Sequence, residues 1–176
     1  MREFKYAENG YLLTIQESPG FSRKYNVELS GCLHGCAMLE PKVRLLAAFE
    51  PFRPRLCIED VQGNGYSSGI QAQGIGTLLF NTALQLLLQR YPPEMLVYGE
   101  LSDVGDSRDP SPAKECKDRR ERFWRSFGFD VGSGGYTGTT ITSALCALRL
   151  KTQDVRIHGR FPRYIELDRF VETGGS

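Results

Sequence analysis

The chain has 176 residues, 40% of them hydrophobic and 24% charged, with a formal net charge of +1. That length and balance suit one compact α/β domain with its own core and exclude a disordered chain. The near-neutral charge removes the electrostatic case for a nucleic-acid or membrane-surface protein, which carries a strong basic excess.

The opening Met1-Arg2-Glu3-Phe4-Lys5 holds no apolar run of signal-peptide length. No stretch approaches the roughly 20 apolar residues of a membrane span. Cys32, Cys36, Cys57, Cys116 and Cys146 are odd in number and scattered, which suits reduced thiols rather than a disulfide framework. A cytoplasmic protein with no membrane partner is expected.

Strand signals fill the first third of the chain. Tyr11-Leu12-Leu13-Thr14-Ile15 follows an Asn9-Gly10 turn signal, and Tyr25 to Leu29, Val43 to Phe49 and residues 55–61 follow in turn. Asn64-Gly65 marks a loop. From Gly74 to Tyr91 the apolar residues dominate, with Thr77, Asn81, Gln85 and Gln89 forming a polar stripe at spacing four. This predicts a largely buried helix, ended by Pro92-Pro93. Met95 to Leu101 reads as a short strand and Ser102 to Pro110 as a polar loop. A second helix is expected from Ser111 as N-cap and Pro112 at the first helical position, running to Phe127 and stopping at a left-handed Gly128. Its apolar face is Ala113, Cys116, Phe123, Trp124 and Phe127. Gly132 to Gly135 is read as a turn, and Thr139 to Leu150 as a long strand. The last segment, Val155 to Val171, offers one more strand. Helices set between strands indicate a mixed α/β sheet. The whole of 1–176 is expected to be a single domain, with 151–176 a possible extra C-terminal strand segment.

The chemistry points to one unit: strand 55–61, a glycine-containing loop, then an apolar helix. A helix N-terminus offers unpaired N–H groups and the positive end of its dipole, and glycines let an anion approach the backbone. A tight turn or close helix–strand packing explains such a loop as well. The dinucleotide fingerprint is disfavoured because Leu79 stands where its third glycine belongs, and the phosphate loop because no lysine precedes Thr77.

Gln71-Ala72-Gln73-Gly74-Ile75-Gly76 resembles the Gln/Arg-x-x-Gly-x-Gly/Ala signature of the GNAT superfamily of N-acetyltransferases, and Thr77-Leu78-Leu79 resembles its usual continuation. Arg122-Phe123-Trp124-Arg125-Ser126-Phe127-Gly128-Phe129 is similar to that family's second landmark, a helix ending in an aromatic pair followed by Gly-Phe. The resemblance covers roughly residues 45–150. It implies a single-domain α/β fold with a mixed, splayed β-sheet of about seven strands flanked by helices. It implies acetyl-CoA as co-substrate and no metal. Cofactor contacts would fall on Val61, Gln71, Gln73, Gly74, Ile75, Gly76, Thr77 and Trp124. The pyrophosphate would rest on backbone N–H groups around Gln73 to Thr77, and the pantetheine beside the strand ending at Glu59, Asp60 and Val61. An amine, small-molecule or protein, would enter from the other side and attack directly. The chain departs from the pattern at Trp124, where the family has a tyrosine thought to protonate the leaving thiolate. It departs again at Lys117, where family members often carry a cofactor-contacting asparagine.

An attacking amine must be neutral, so a base is required. Glu100, Glu59, Asp60 and Asp103 are candidates at or beyond strand ends, Glu100 foremost because the strand before the second helix ends there. A solvated carboxylate at a strand end is the plain alternative for each. A non-catalytic acyl-CoA-binding or protein-interaction domain on the same fold is the competing functional reading. Cys32-Leu33-His34-Gly35-Cys36 lacks the second ligand pair of a zinc site. The cations Lys114, Lys117, Arg119, Arg120, Arg122 and Arg125 are interleaved with Asp118 and Glu121 as on an ordinary charged helix face. The arginines of 155–170 with Phe161 and Tyr164 read as a guarded edge strand before they read as a nucleic-acid site. Oligomeric state is left open, a dimer included.

Overall fold

The computed structural model describes residues 2–8, 11–19, 24–33, 36–37, 43–50, 55–62, 74–101, 113–133, 139–153 and 162–173. Five strands come first: β1 (Arg2–Glu8), β2 (Tyr11–Pro19), β3 (Lys24–Leu33), the two-residue β4 (Cys36–Ala37) and β5 (Val43–Glu50). They are followed by β6 (Arg55–Gln62), α1 (Ile75–Arg90), β7 (Leu96–Glu100) and α2 (Ala113–Arg125). β8 (Asp130–Gly132), β9 (Thr140–Ala144) and β10 (Val171–Glu172) complete the chain. All ten strands join one sheet in the order β10-β1-β2-β3-β5-β6-β7-β9-β8, with β4 paired to β3. About seven strands were expected; the excess is β4, β8 and β10, of two or three residues each.

Every described pairing is antiparallel except β6 with β7, which follow one another in the chain with α1 between them. Parallel neighbours need such a crossover, so α1 is dictated by that pair. α1 lies over β3 and β5, and α2 lies against β8. The core between helices and sheet holds Leu78, Leu79, Phe80, Leu84, Leu86 and Leu87 of α1 with Leu56, Val97, Ile141, Phe127 and Phe129. Each such Leu or Phe contributes about 1.5–3 kcal/mol by leaving water.

β1 was missed in the sequence. Its signal is the alternation of Phe4 and Tyr6, both buried, with Glu3, Lys5 and Ala7, which face outward or lie half-buried. The strand expected over 139–150 is also shorter. β9 stops at Ala144: the Leu145 N–H still donates to the Met95 carbonyl at 2.8 Å, where the register would continue, but the Cys146 N–H skips to that of Pro93 at 2.7 Å. Leu145–Ala147 closes as a 3₁₀ turn. α2 ends at Arg125, two residues before the expected stop, and Gly128 is left-handed with φ of 95°. The expectations at Asn9-Gly10, Asn64-Gly65, Ser111-Pro112, residues 134–135 and residues 155–161 lie outside the described residues.

The polar stripe of α1 has a specific use. Asn81 is fully buried, and its Nδ2 donates to the carbonyls of Lys151 at 3.0 Å and Arg163 at 2.6 Å. Its Oδ1 accepts from the Lys151 N–H at 2.9 Å. One turn on, the Gln85 Nε2 donates to the Ile165 carbonyl at 3.0 Å, and its Oε1 accepts from the Leu167 N–H at 2.9 Å. Two side-chain amides thus pair with extended backbone much as a neighbouring strand would, and they hold residues 163–167 across α1. Beyond them a 3₁₀ turn, Leu167–Arg169, leads into β10, which pairs with β1 through Phe4–Glu172 and Lys5–Val171.

Candidate functional site

β6 and β7 are in register from Arg55 opposite Leu96 to Ile58 opposite Gly99. β6 then continues to Gln62 with no registered partner on its β7 side among the described residues. A second irregularity sits at the same place. Leu46 of β5 faces Asp60, while the next residue, Ala47, faces Ile58. Glu59 is therefore the extra residue of a β-bulge, which bends its strand and increases its local twist. The last registered pair leaves no room for a side chain: a Cβ at Gly99 would lie 2.9 Å from the Ile58 carbonyl oxygen. Only glycine fits there without the strands moving apart.

This end of the sheet carries four of the residues singled out in the sequence. Glu59 and Glu100 each directly follow the last registered pair, and Asp60 and Val61 continue β6 opposite Leu46 and Leu45. Glu100 is exposed and terminates β7, opposite Thr140 of β9.

α1 begins beyond Gly74, its N-cap, which is left-handed with φ of 92°. That conformation suits glycine and strains residues with a Cβ. Gly74 offers no side-chain acceptor, and the first turn holds no acidic residue. The leading N–H groups of α1 thus keep their positive end uncompensated by the helix's own side chains. Gly76 is exposed, and the nearest atom to a Cβ built on it is Phe123 Cε2 at 3.8 Å. Thr77 is half-buried. Gln71, Gln73 and Asp103 lie outside the described residues, and so do the side chains of Glu59, Asp60, Val61 and Ile75.

Trp124 is 5% exposed and sits in an aromatic cluster. Its ring meets Phe80, Phe123 and Phe129 edge-on, with centroids 5.2, 5.1 and 5.3 Å away. Such pairs add about 0.5–1.5 kcal/mol beyond area burial. Trp124 therefore fastens α2 to α1 and to Phe129 at the entry to β8. On α2 the charged face is partly self-paired, with Arg125 2.9 Å from Glu121 and Lys117 3.8 Å from it.

Lys151 escaped the sequence reading. Its Nζ lies over the Phe127 ring at 4.3 Å and that of Phe123 at 5.5 Å. Burial, and then the nearby Arg163, hold its amine below the ordinary lysine range. Nothing in Arg149-Leu150-Lys151 marks it, because its neighbours come from α1, α2 and the C-terminal segment.

Among the described residues no helix is long and apolar enough to cross a membrane, and no three His, Cys, Asp or Glu side chains are grouped to hold a metal. Comparison with known families and with curated proteins gave no match. Among solved structures the chain is similar to nourseothricin acetyltransferase, at 15% identity over 80% of this chain and 81% of that one, with a TM-score of 0.40. A likeness that loose decides neither fold nor activity.

Proposed function

We propose that this chain is an acyl-CoA-dependent N-acetyltransferase of the GNAT type, moving an acetyl group from acetyl-CoA to an amine. The observation that carries the reading is the end of the β6–β7 register at Ile58–Gly99 beside the Glu59 bulge, within the strand-loop-helix unit that leads to α1. The resemblance at Gln71–Gly76 and Phe123–Phe129 calls for an opening of this kind between the two parallel strands.

In this reading the first N–H groups of α1 bind the pyrophosphate, and the edge of β6 at Glu59–Val61, beyond its described register with β7, receives the pantetheine as an added strand would. The amine nitrogen attacks the thioester carbonyl. A C–N bond forms, the C–S bond breaks, the thiolate leaves with CoA, and the amine proton passes to Glu100. Glu59 and Asp60 are the reserve bases. Trp124 has no acidic hydroxyl to offer the thiolate, so the thiolate is protonated by water. The acceptor is a small-molecule or protein amine, and the protein works in the cytoplasm.

One observation favours a second reading, an inactive acyl-CoA-binding or interaction domain: the position of the family's proton donor is a buried tryptophan engaged in packing. Thiol release from acetyl-CoA across a panel of amines separates the two. Release with one class of amine supports the enzyme. Binding of acetyl-CoA with no release from any amine supports the binder, and no binding overturns both.

Gly76→Val tests the cofactor loop. Ordinary contact distance to Phe123 leaves the fold intact, while the branched side chain covers the N–H groups meant for the pyrophosphate. Acetyl-CoA affinity is expected to fall about tenfold or more, the worth of a charge-assisted hydrogen bond. Unchanged affinity by calorimetry would remove the cofactor from this loop.

A further inference from the structure

β7 parts from one neighbour and keeps the other. On the β6 side the described register ends at Ile58–Gly99. On the β9 side it runs on through Glu100–Thr140, and the Leu101 N–H donates to the Thr139 carbonyl at 3.0 Å. The split between β6 and β7 is therefore closed at one end by the row Ile58, Gly99 and Ile141, which lie side by side on β6, β7 and β9. Ile58 and Ile141 are buried and belong to the core between helices and sheet. The row has no space left. A Cβ at Gly99 would press on Ile58 Cβ and Ile141 Cγ1, both at 3.4 Å, and collide with the Ile58 carbonyl oxygen. Even one methyl group is more than this row admits.

We propose that Ile58, Gly99 and Ile141 form the end stop of the acyl site and confine the donor to acetyl-CoA. The assignment rests on the acyl-CoA reading. In that reading the pyrophosphate sits at the start of α1 and the pantetheine lies along β6 from Val61 towards Glu59, because β6 runs out to Gln62 and α1 starts from Gly74. The thioester then points to the closed end of the split, and the acyl carbons extend towards the row of Ile58, Gly99 and Ile141. The acetyl methyl stops short of that row. Each further methylene has to enter it, where aliphatic side chains and backbone are already in contact, and a close-packed interior yields such room only at a cost. Ile141 is the adjustable wall. Gly99 has no side chain to remove, and Ile58 adjoins the Glu59 bulge on which the pantetheine rests.

The test is kcat/KM for acetyl-, propionyl- and butyryl-CoA with one amine, in wild type, Ile141→Ala, Ile141→Val and Val97→Ala. Wild type is expected to lose about tenfold or more with each added methylene. Ile141→Ala should raise the butyryl-to-acetyl ratio by about tenfold or more, and the milder Ile141→Val should raise the propionyl-to-acetyl ratio by less. Val97→Ala trims a fully buried side chain of the same strand, opposite Leu56 and away from the split, and should leave both ratios as they are. A general loosening of the core lowers turnover with all three donors alike, so the ratios separate specificity from stability. A wild type that uses butyryl-CoA as well as acetyl-CoA would overturn the end stop and leave the acyl-CoA reading standing. So would unchanged ratios in both Ile141 variants, or an equal shift in Val97→Ala. Should Ile141→Ala fail to fold, Ile141→Val carries the comparison. If the thioesters bind without turnover, their Kd values supply the same ratios. If none binds, the acyl-CoA reading falls and the end stop falls with it.

Discussion

Glu100→Gln should lower turnover by about a hundredfold or more while acetyl-CoA affinity stays where it was. Glutamine keeps the shape and polarity of the side chain but cannot take a proton. Glu100 ends β7, is exposed, and directly follows the last residue in register with β6, so it borders the place where the two strands cease to pair. An exposed side chain at a strand end carries little packing, so the fold should be indifferent to the change. The measurement is steady-state thiol release with the best amine of the panel, beside calorimetry of the cofactor. A raised amine KM with kcat intact would make Glu100 a binding carboxylate for a cationic substrate. Full activity would pass the base role to Glu59, Asp60 or Asp103, or to water.

Asn81→Leu should cost about 3–5 kcal/mol in denaturant unfolding. Leucine is close in volume, so the loss is one of hydrogen bonds. The carbonyls of Lys151 and Arg163 and the N–H of Lys151 lose their partner. Each buried polar group left unsatisfied costs about 1–3 kcal/mol. The expected first symptom is local: amides of β10 and of Leu167 should exchange faster while those of β7 and β9 do not change. A loss under about 1 kcal/mol would mean that water replaces the amide at little cost.

Much of the architecture was legible because it is local. α1 announces itself by a continuous apolar run closed by Pro92-Pro93, and Gly128 by its place after an aromatic helix end. β1 was missed although its signal is present, because only Phe4 and Tyr6 mark the alternation among charged neighbours. The end of β9 was not legible, since it depends on the carbonyl of Pro93, which is distant in sequence. The bulge at Glu59 leaves no trace in Arg-Leu-Cys-Ile-Glu-Asp-Val, because an extra residue shows only against the partner strand. At the site, the loop glycines were singled out through the resemblance at Gln71–Gly76, and the carboxylates by their place at strand ends. The polar stripe on α1 was visible, but its use was not: Asn81 and Gln85 look like a solvated face until the chain end is laid across them. Lys151 became interesting only through what surrounds it.

That arrangement also sets an order of assembly. Strands β1 to β6 are mostly sequential neighbours, whereas β10 must find β1 across nearly the whole chain, with Thr173 bound to Glu3 at a separation of 170 residues. Asn81 and Arg163 are separated by 82, so closing that loop first is cheaper by roughly 0.6 kcal/mol. Once Asn81 and Gln85 have captured residues 163–167, only a few residues remain to be placed before β10 reaches the sheet edge. The amides of α1 thus turn a search over the full chain length into a short final step, and the outermost strand should be the last piece in and the first piece out.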